Sequence, residues 1–180
     1  MVISTIVDGN SITHKNQKNN YMKEFDIVIK VKCCQLEELE NEDRTLVETA
    51  IKATDNAYAE YSHFHVGAAL RLEDGTIVIG ANQENAAFPS GLCAERTAIF
   101  AAQANHPDQA VATLAIAARN DNGLLRQPVS PCGACRQVIT GVEDRYGKPI
   151  RILLYGTDGT YVFSSAKDLL PFTFVDDSMK

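Results

Sequence analysis

Residues 111–155 read VATLAIAARNDNGLLRQPVSPCGACRQVITGVEDRYGKPIRILLY. Residues 111–118 and 150–155 are short apolar runs of the kind that form strands buried on both faces. Between them, Ser130-Pro131 is a helix-start signal, a serine cap followed by proline at the first helical position. It predicts a helix over about 131–143. Two buried strands joined through a helix make a parallel crossover unit.

Working outward, HVGAALRL (65–72) and TIVIGAN (76–82) flank Asp74-Gly75, a pair that tolerates the positive φ of a hairpin turn. Residues 93–104, CAERTAIFAAQA, have strong helix propensity. Leu46, Val47, Ala50, Ile51, Thr54, Ala57 and Tyr58 recur at helical spacing and predict a first helix over about 42–59. Asn41 would cap it, with Glu42 and Asp43 in its first turn. Beyond the crossover, Asp158-Gly159 predicts a turn and Tyr161–Phe163 a strand. Ser165 opens a short final helix stopped by Pro171. A crossover plus a hairpin gives a mixed β-sheet, and the amphipathic helices cover both faces. The expected class is α/β, a three-layer α/β/α arrangement.

The N-terminal part reads differently. Residues 9–20, GNSITHKNQKNN, are too polar to offset their ordering entropy by burial, and residues 1–21 are expected to be a disordered tail. Met22 offers a second start, and function is expected to need nothing before it. Residues 22–43 are then an extension in which EFDIVIKVK (24–32) predicts an edge strand. Residues 44–180 hold the remaining predicted elements and are the expected main domain.

Composition sets outer limits. The chain has 180 residues, 45 % hydrophobic and 22 % charged, which excludes collagen-like, coiled-coil and largely disordered classes. Its formal charge of −6 does not suit a phosphate backbone, so no nucleic-acid partner is expected. No run approaches the ~18 apolar residues of a membrane span. Val2–Val7 lacks the basic flank and length of a signal peptide. The expected location is cytoplasmic, where thiols stay reduced. The odd count of five cysteines also speaks against a disulfide framework.

Three of those cysteines carry the chemistry. Cys132 and Cys135 are three apart, on one face of their helix, and can grip one ion with sulfur–metal distances near ~2.3 Å. Cys93 heads a different predicted helix and would add a third thiolate. Three protein ligands leave one tetrahedral position open, the pattern of a catalytic zinc. Glu95, just inside the Cys93 helix, can take a proton from an activated water and deliver it to a leaving group. Acting instead as a ligand, it would close the site. Three thiolates leave excess negative charge on the ion, which Arg96, the two helix N-termini and a donation from Gln137 would offset. The structural alternative is a four-ligand zinc completed by a histidine. His14 falls in the tail and His106 follows a helix, while His63 and His65 read as an exposed or hydrogen-bonded pair. Cys33 and Cys34 point to opposite sides of a strand and have no expected role.

These residues resemble the cytidine deaminase family, whose zinc members carry a proton-shuttling glutamate beside P-C-x-x-C. The matching motifs are Tyr61–Phe64, Val66–Ala69, Asn82–Asn85, Cys93–Ala98, Ser130–Gln137 and Leu169–Pro171. Cys-Ala-Glu is similar to the small, homotetrameric, three-cysteine class that acts on free nucleosides. The resemblance implies zinc-dependent hydrolytic deamination of cytidine and deoxycytidine to uridine and deoxyuridine, in pyrimidine salvage. It implies that Asn82 and Glu84 hold the ribose 3′-hydroxyl and that Phe64 packs on the pyrimidine. It also makes the Ala94 N–H a donor to the base carbonyl and the Ser130 carbonyl an acceptor for the amino group. Glu95 becomes the proton shuttle, and Phe174, with Phe172 as the alternative, reaches a neighbouring subunit's site in a shared-site homotetramer. Three features depart from the pattern: Phe88 where tyrosine is common, Glu60 where proline is common, and a longer N-terminal segment.

Two other readings compete. A deaminase of another cytosine compound, such as blasticidin S, would share the zinc residues but lack Asn-x-Glu-Asn. A non-catalytic zinc-stabilised module would not need Glu95.

Overall fold

The computed structural model describes Ser4–Thr5 and residues 22–179. The chain divides into two compact units, Met1–Lys30 and Val31–Lys180. In the first, strand β1 (Ser4–Thr5) pairs antiparallel with β2 (Ile27–Val28). The rest of the expected tail, His14 included, lies outside the described residues.

The second unit is built on one mixed sheet. Its strands are β3 (Lys32–Cys34), β4 (His65–Leu72), β5 (Ile77–Ala81), β6 (Val111–Asn120), β7 (Gly123–Leu124), β8 (Arg151–Gly156) and β9 (Gly159–Phe163). Their order is β3-β9-β8-β6-β4-β5, with β7 paired to β6 beyond that path. β6 and β8 run parallel, in register from Thr113↔Arg151 to Ile116↔Leu154, as the crossover reading requires. The pairs β4–β5, β4–β6, β8–β9 and β3–β9 are antiparallel.

Three helices cover the sheet: α1 (Asn41–Ala53), α2 (Ala94–Asn105) and α3 (Gly133–Tyr146). Strand alternation sorts the side chains between two cores. Leu46, Val47 and Ala50 of α1 bury against Ala69, Ala115, Ala117 and Leu153. Each fully buried Leu or Val there contributes about 1.5–3 kcal/mol relative to exposure. The other face of the sheet meets α2, and α3 packs beside α2. Two glycines allow the helices to lie close. A Cβ on Gly67 would collide with the Ala50 carbonyl of α1, and one on Gly80 with the Ala94 carbonyl and Ala98 N–H of α2. Both obstacles are backbone, so Gly80→Ala must push the start of α2 off the sheet. A stability loss of about 1–3 kcal/mol is expected from such overpacking, read as a lower denaturation midpoint at unchanged m-value.

Several local expectations shift. The predicted strand over 24–32 is split: Ile27–Val28 belongs to the N-terminal unit, and the edge strand of the main sheet is Lys32–Cys34, paired with Tyr161 and its neighbours. α1 begins at Asn41 itself, with Glu40 at the cap position, and ends at Ala53, where a 3₁₀ turn (Thr54–Asn56) follows. The tighter turn places Thr54 and Asp55 to receive Arg119 from β6. The third helix starts at Gly133 with Cys132, not Ser130, at the cap. Ser130 is occupied elsewhere, its hydroxyl accepting from Arg136. The helix expected after Ser165 is a 3₁₀ turn, Ala166–Asp168, whose Ser165 cap does accept from the Lys167 N–H, and a further 3₁₀ turn, Asp176–Met179, comes after it.

Candidate active site

Two helix starts converge on one point. Cys93 caps α2 and Cys132 caps α3, and Cys135 lies in the first turn of α3. The approach to Cys93 is fixed by reciprocal backbone bonds between Gln83 and Leu92, 2.9 and 3.0 Å. The sulfur of Cys132 is 3.8 Å from that of Cys93 and 3.5 Å from that of Cys135. All three lie within 4.8 Å of one another. A tetrahedral ion with bonds near ~2.3 Å requires sulfurs about 3.8 Å apart, so the triad fits a zinc-sized soft cation. No histidine joins this group among the described residues.

The surroundings are polarised to match. The Arg96 guanidinium donates to the Cys93 sulfur at 3.5 Å, and its Nε is buried without a partner, which suits a cation held for a negative cluster. Glu95 is 4 % exposed. Burial raises its carboxyl above the usual range, against the opposing pull of its own N–H, the Cys135 thiol and Arg96. Burial likewise raises the Cys135 thiol, reinforced by the charge of Glu95. Burial acts the same way on Cys132, but donors from the Cys135 N–H and the neighbouring thiols outweigh it, so that thiol lies low. The arrangement can hold a soft metal with one open position and a proton-carrying carboxyl beside it.

Beside Cys93 lies a cavity of about 330 Å³, also lined by Tyr61, Asn82, Glu84, Asn85 and Phe88. The structure thus brings Asn82 and Glu84 to one hollow with Cys93, while Cys132 and Cys135 do not line it. Phe64, Ala94, Ser130 and Phe174 are not part of its lining. A larger cavity of about 680 Å³ lies by Arg71, whose guanidinium is already paired with Glu42 and Asp43, and it holds no comparable chemistry.

The polar residues of the small cavity also do structural work. Asn82 Oδ1 accepts from the Val66 N–H at 2.7 Å, and its Nδ2 donates to the Phe64 carbonyl at 2.9 Å. Glu84 Oε2 accepts from the N–H groups of Tyr61 and Ser62 at 2.8 and 3.3 Å. The Ser62 and Tyr61 donors hold its carboxyl below the usual range. Phe64 is half-buried next to His63, which adopts the left-handed φ of 55°. Ala94 opens α2, so its N–H is among the first-turn donors that lack an intrahelical acceptor. Ser130 and Phe174 are exposed.

Gln137 stands apart from its sequence expectation. Its Nε2 donates to the Phe174 carbonyl, 2.6 Å, and not to a thiolate. Sequence reasoning missed Arg136, which binds the Pro131 carbonyl, the Ser130 hydroxyl and the Leu169 carbonyl. One signal was available: a cation near a helix N-terminus opposes the macrodipole, so both Arg96 and Arg136 need a tertiary partner.

A family model described as the cytidine and deoxycytidylate deaminase zinc-binding region matches residues 40–146. The chain is 37 % identical over 134 residues to a cytidine deaminase of Halalkalibacterium halodurans, covering 74 % of this chain and 95 % of that one. It is 28 % identical over 138 residues to a blasticidin-S deaminase of Bacillus cereus, covering 76 % and 94 %. The crystal structure of cytidine deaminase from Burkholderia pseudomallei superposes with a TM-score of 0.63 at 39 % identity, covering 76 % of this chain and all of that one, 100 %.

Proposed function

This chain belongs to the cytidine and deoxycytidylate deaminase family, and on that premise we propose that it is a zinc-dependent deaminase of cytidine and deoxycytidine. The observation that carries the reading is the triad of Cys93, Cys132 and Cys135 within 4.8 Å, with Glu95 buried at the same helix start. Bound to those three sulfurs, zinc supplies the Lewis acid that lets water act as a nucleophile near neutral pH.

The chain's own residues do the rest. Water adds at C4 of the cytosine, and Glu95 carries its proton to N3. A second proton passes through Glu95 to the departing amine, giving uridine and ammonia. The Ala94 N–H and the Ser130 carbonyl orient the base, and Phe64 packs on its face. Asn82 and Glu84 bind the 3′-hydroxyl, an amide and a carboxylate matching a group that both donates and accepts. Arg96 offsets the thiolate charge. In this reading the site is completed in a homotetramer by Phe174 of a neighbouring copy. Residues 44–180 form the catalytic domain, residues 1–21 are dispensable, and the enzyme works in cytoplasmic pyrimidine salvage without nucleic acid or membrane. No helix among the described residues is long and apolar enough to cross a membrane.

Incubation of the purified protein with cytidine, deoxycytidine, CMP and blasticidin S tests this. Uridine and deoxyuridine are expected from the two nucleosides, lost on chelation and restored by zinc. Turnover of blasticidin S alone would replace the substrate assignment. Zinc binding without any deamination would make the protein a zinc-stabilised module.

A further inference from the structure

The two residues after Cys135, Arg136 and Gln137, have no part in proton transfer, yet both side chains reach the same distant segment. Arg136 Nη1 donates to the Leu169 carbonyl at 2.9 Å, while Nε and Nη2 hold the Pro131 carbonyl and the Ser130 hydroxyl at 2.8 and 3.1 Å. Gln137 Nε2 donates to the Phe174 carbonyl at 2.6 Å. Its Oε1 accepts from the Phe174 N–H at 3.4 Å and from the Thr173 hydroxyl at 3.5 Å. One side-chain amide thus meets both backbone groups of a single residue, as a neighbouring strand would.

Residues 171–175 form no helix or strand of their own. A segment without ladder bonds has little to offset its backbone entropy and opens locally at low cost, so its position depends on side-chain fasteners. The fasteners here project from the opening turns of the helix that carries Cys132 and Cys135. We propose that Arg136 and Gln137 form a two-point clasp seating Leu169–Phe174 on the metal-binding helix. Gln137 is then a positioning residue that acts on substrate binding through Phe174, and not a partner of the thiolates. The effect on substrate rests on the reading in which Phe174 belongs to the substrate site.

The test uses the full-length, zinc-loaded protein with Gln137→Met, which is close in size and removes all three bonds. Without those bonds Phe174 is seated in a smaller share of the molecules, and KM for cytidine is expected to rise roughly tenfold. Loss of uniform binding leaves kcat nearly unchanged. One zinc per chain is retained, and chymotryptic cleavage after Phe172 or Phe174 accelerates. In a Phe174→Ala background, Gln137→Met is expected to add nothing further to KM, as coupled residues do. Loss of zinc, or a fall in kcat at constant KM, would return Gln137 to the thiolates. An additive rise in KM would show that it acts elsewhere than through Phe174. An unchanged cleavage rate would remove the clasp, and because that measurement needs no substrate, it decides the clasp even if the protein deaminates nothing.

Discussion

Glu95→Gln is expected to lower deamination by about 10²–10⁴-fold, the range for losing a positioned acid–base group, while zinc content stays at one per chain. The amide keeps the size and the first-turn position of the carboxyl but can neither accept a proton from water nor return one to an amine. The side chain is 4 % exposed, so bulk water is poorly placed to take over the transfer. Uridine formation and metal analysis on the same preparation are the two readouts. Full activity with zinc present would remove the proton-shuttle role. Loss of zinc would instead make Glu95 the fourth ligand, the alternative that sequence spacing leaves open.

Cys135→Ala is expected to abolish both stoichiometric zinc and measurable turnover. Cys135 is fully buried, 0 % exposed, and its sulfur sits 3.5 Å from that of Cys132. Without it, two sulfurs remain on two different helices, a poor site for an ion that prefers four-coordinate tetrahedral binding. Binding to the folded state stabilises by mass action, so the wild-type melting temperature should fall on adding a chelator and that of the variant should not respond. Cys33→Ser is the control. Cys33 is exposed on the edge strand β3, and this variant should keep zinc, activity and the chelator response. A Cys135→Ala protein that retained one zinc and normal turnover would overturn the three-thiolate assignment.

The parts legible from sequence were those governed by short-range geometry. Cys132 and Cys135 share a helical face because they are three residues apart, whatever surrounds them. The crossover was legible because two doubly buried strands around a helix pair in parallel, as Thr113↔Arg151 does. The hairpin at Asp74-Gly75 follows from turn chemistry alone, with Gly75 at a φ of 88°. Helix caps were less legible. Ser130 has the best capping side chain in its neighbourhood, but its hydroxyl goes to Arg136, and the cap position falls to Cys132.

Sequence by itself determined the α/β class, the three thiols with their neighbouring carboxyl, and the placement of each at a helix start. Those follow from periodicity and spacing, which act over a few residues. Tertiary structure decided where the polar side chains spend their hydrogen bonds. Asn82 cross-links Phe64 to Val66, Glu84 holds the Tyr61–Ser62 turn, and Gln137 grips Phe174, a residue 37 positions away. An amide or carboxylate can satisfy itself on many partners, so only the chain that the fold delivers beside it selects among them.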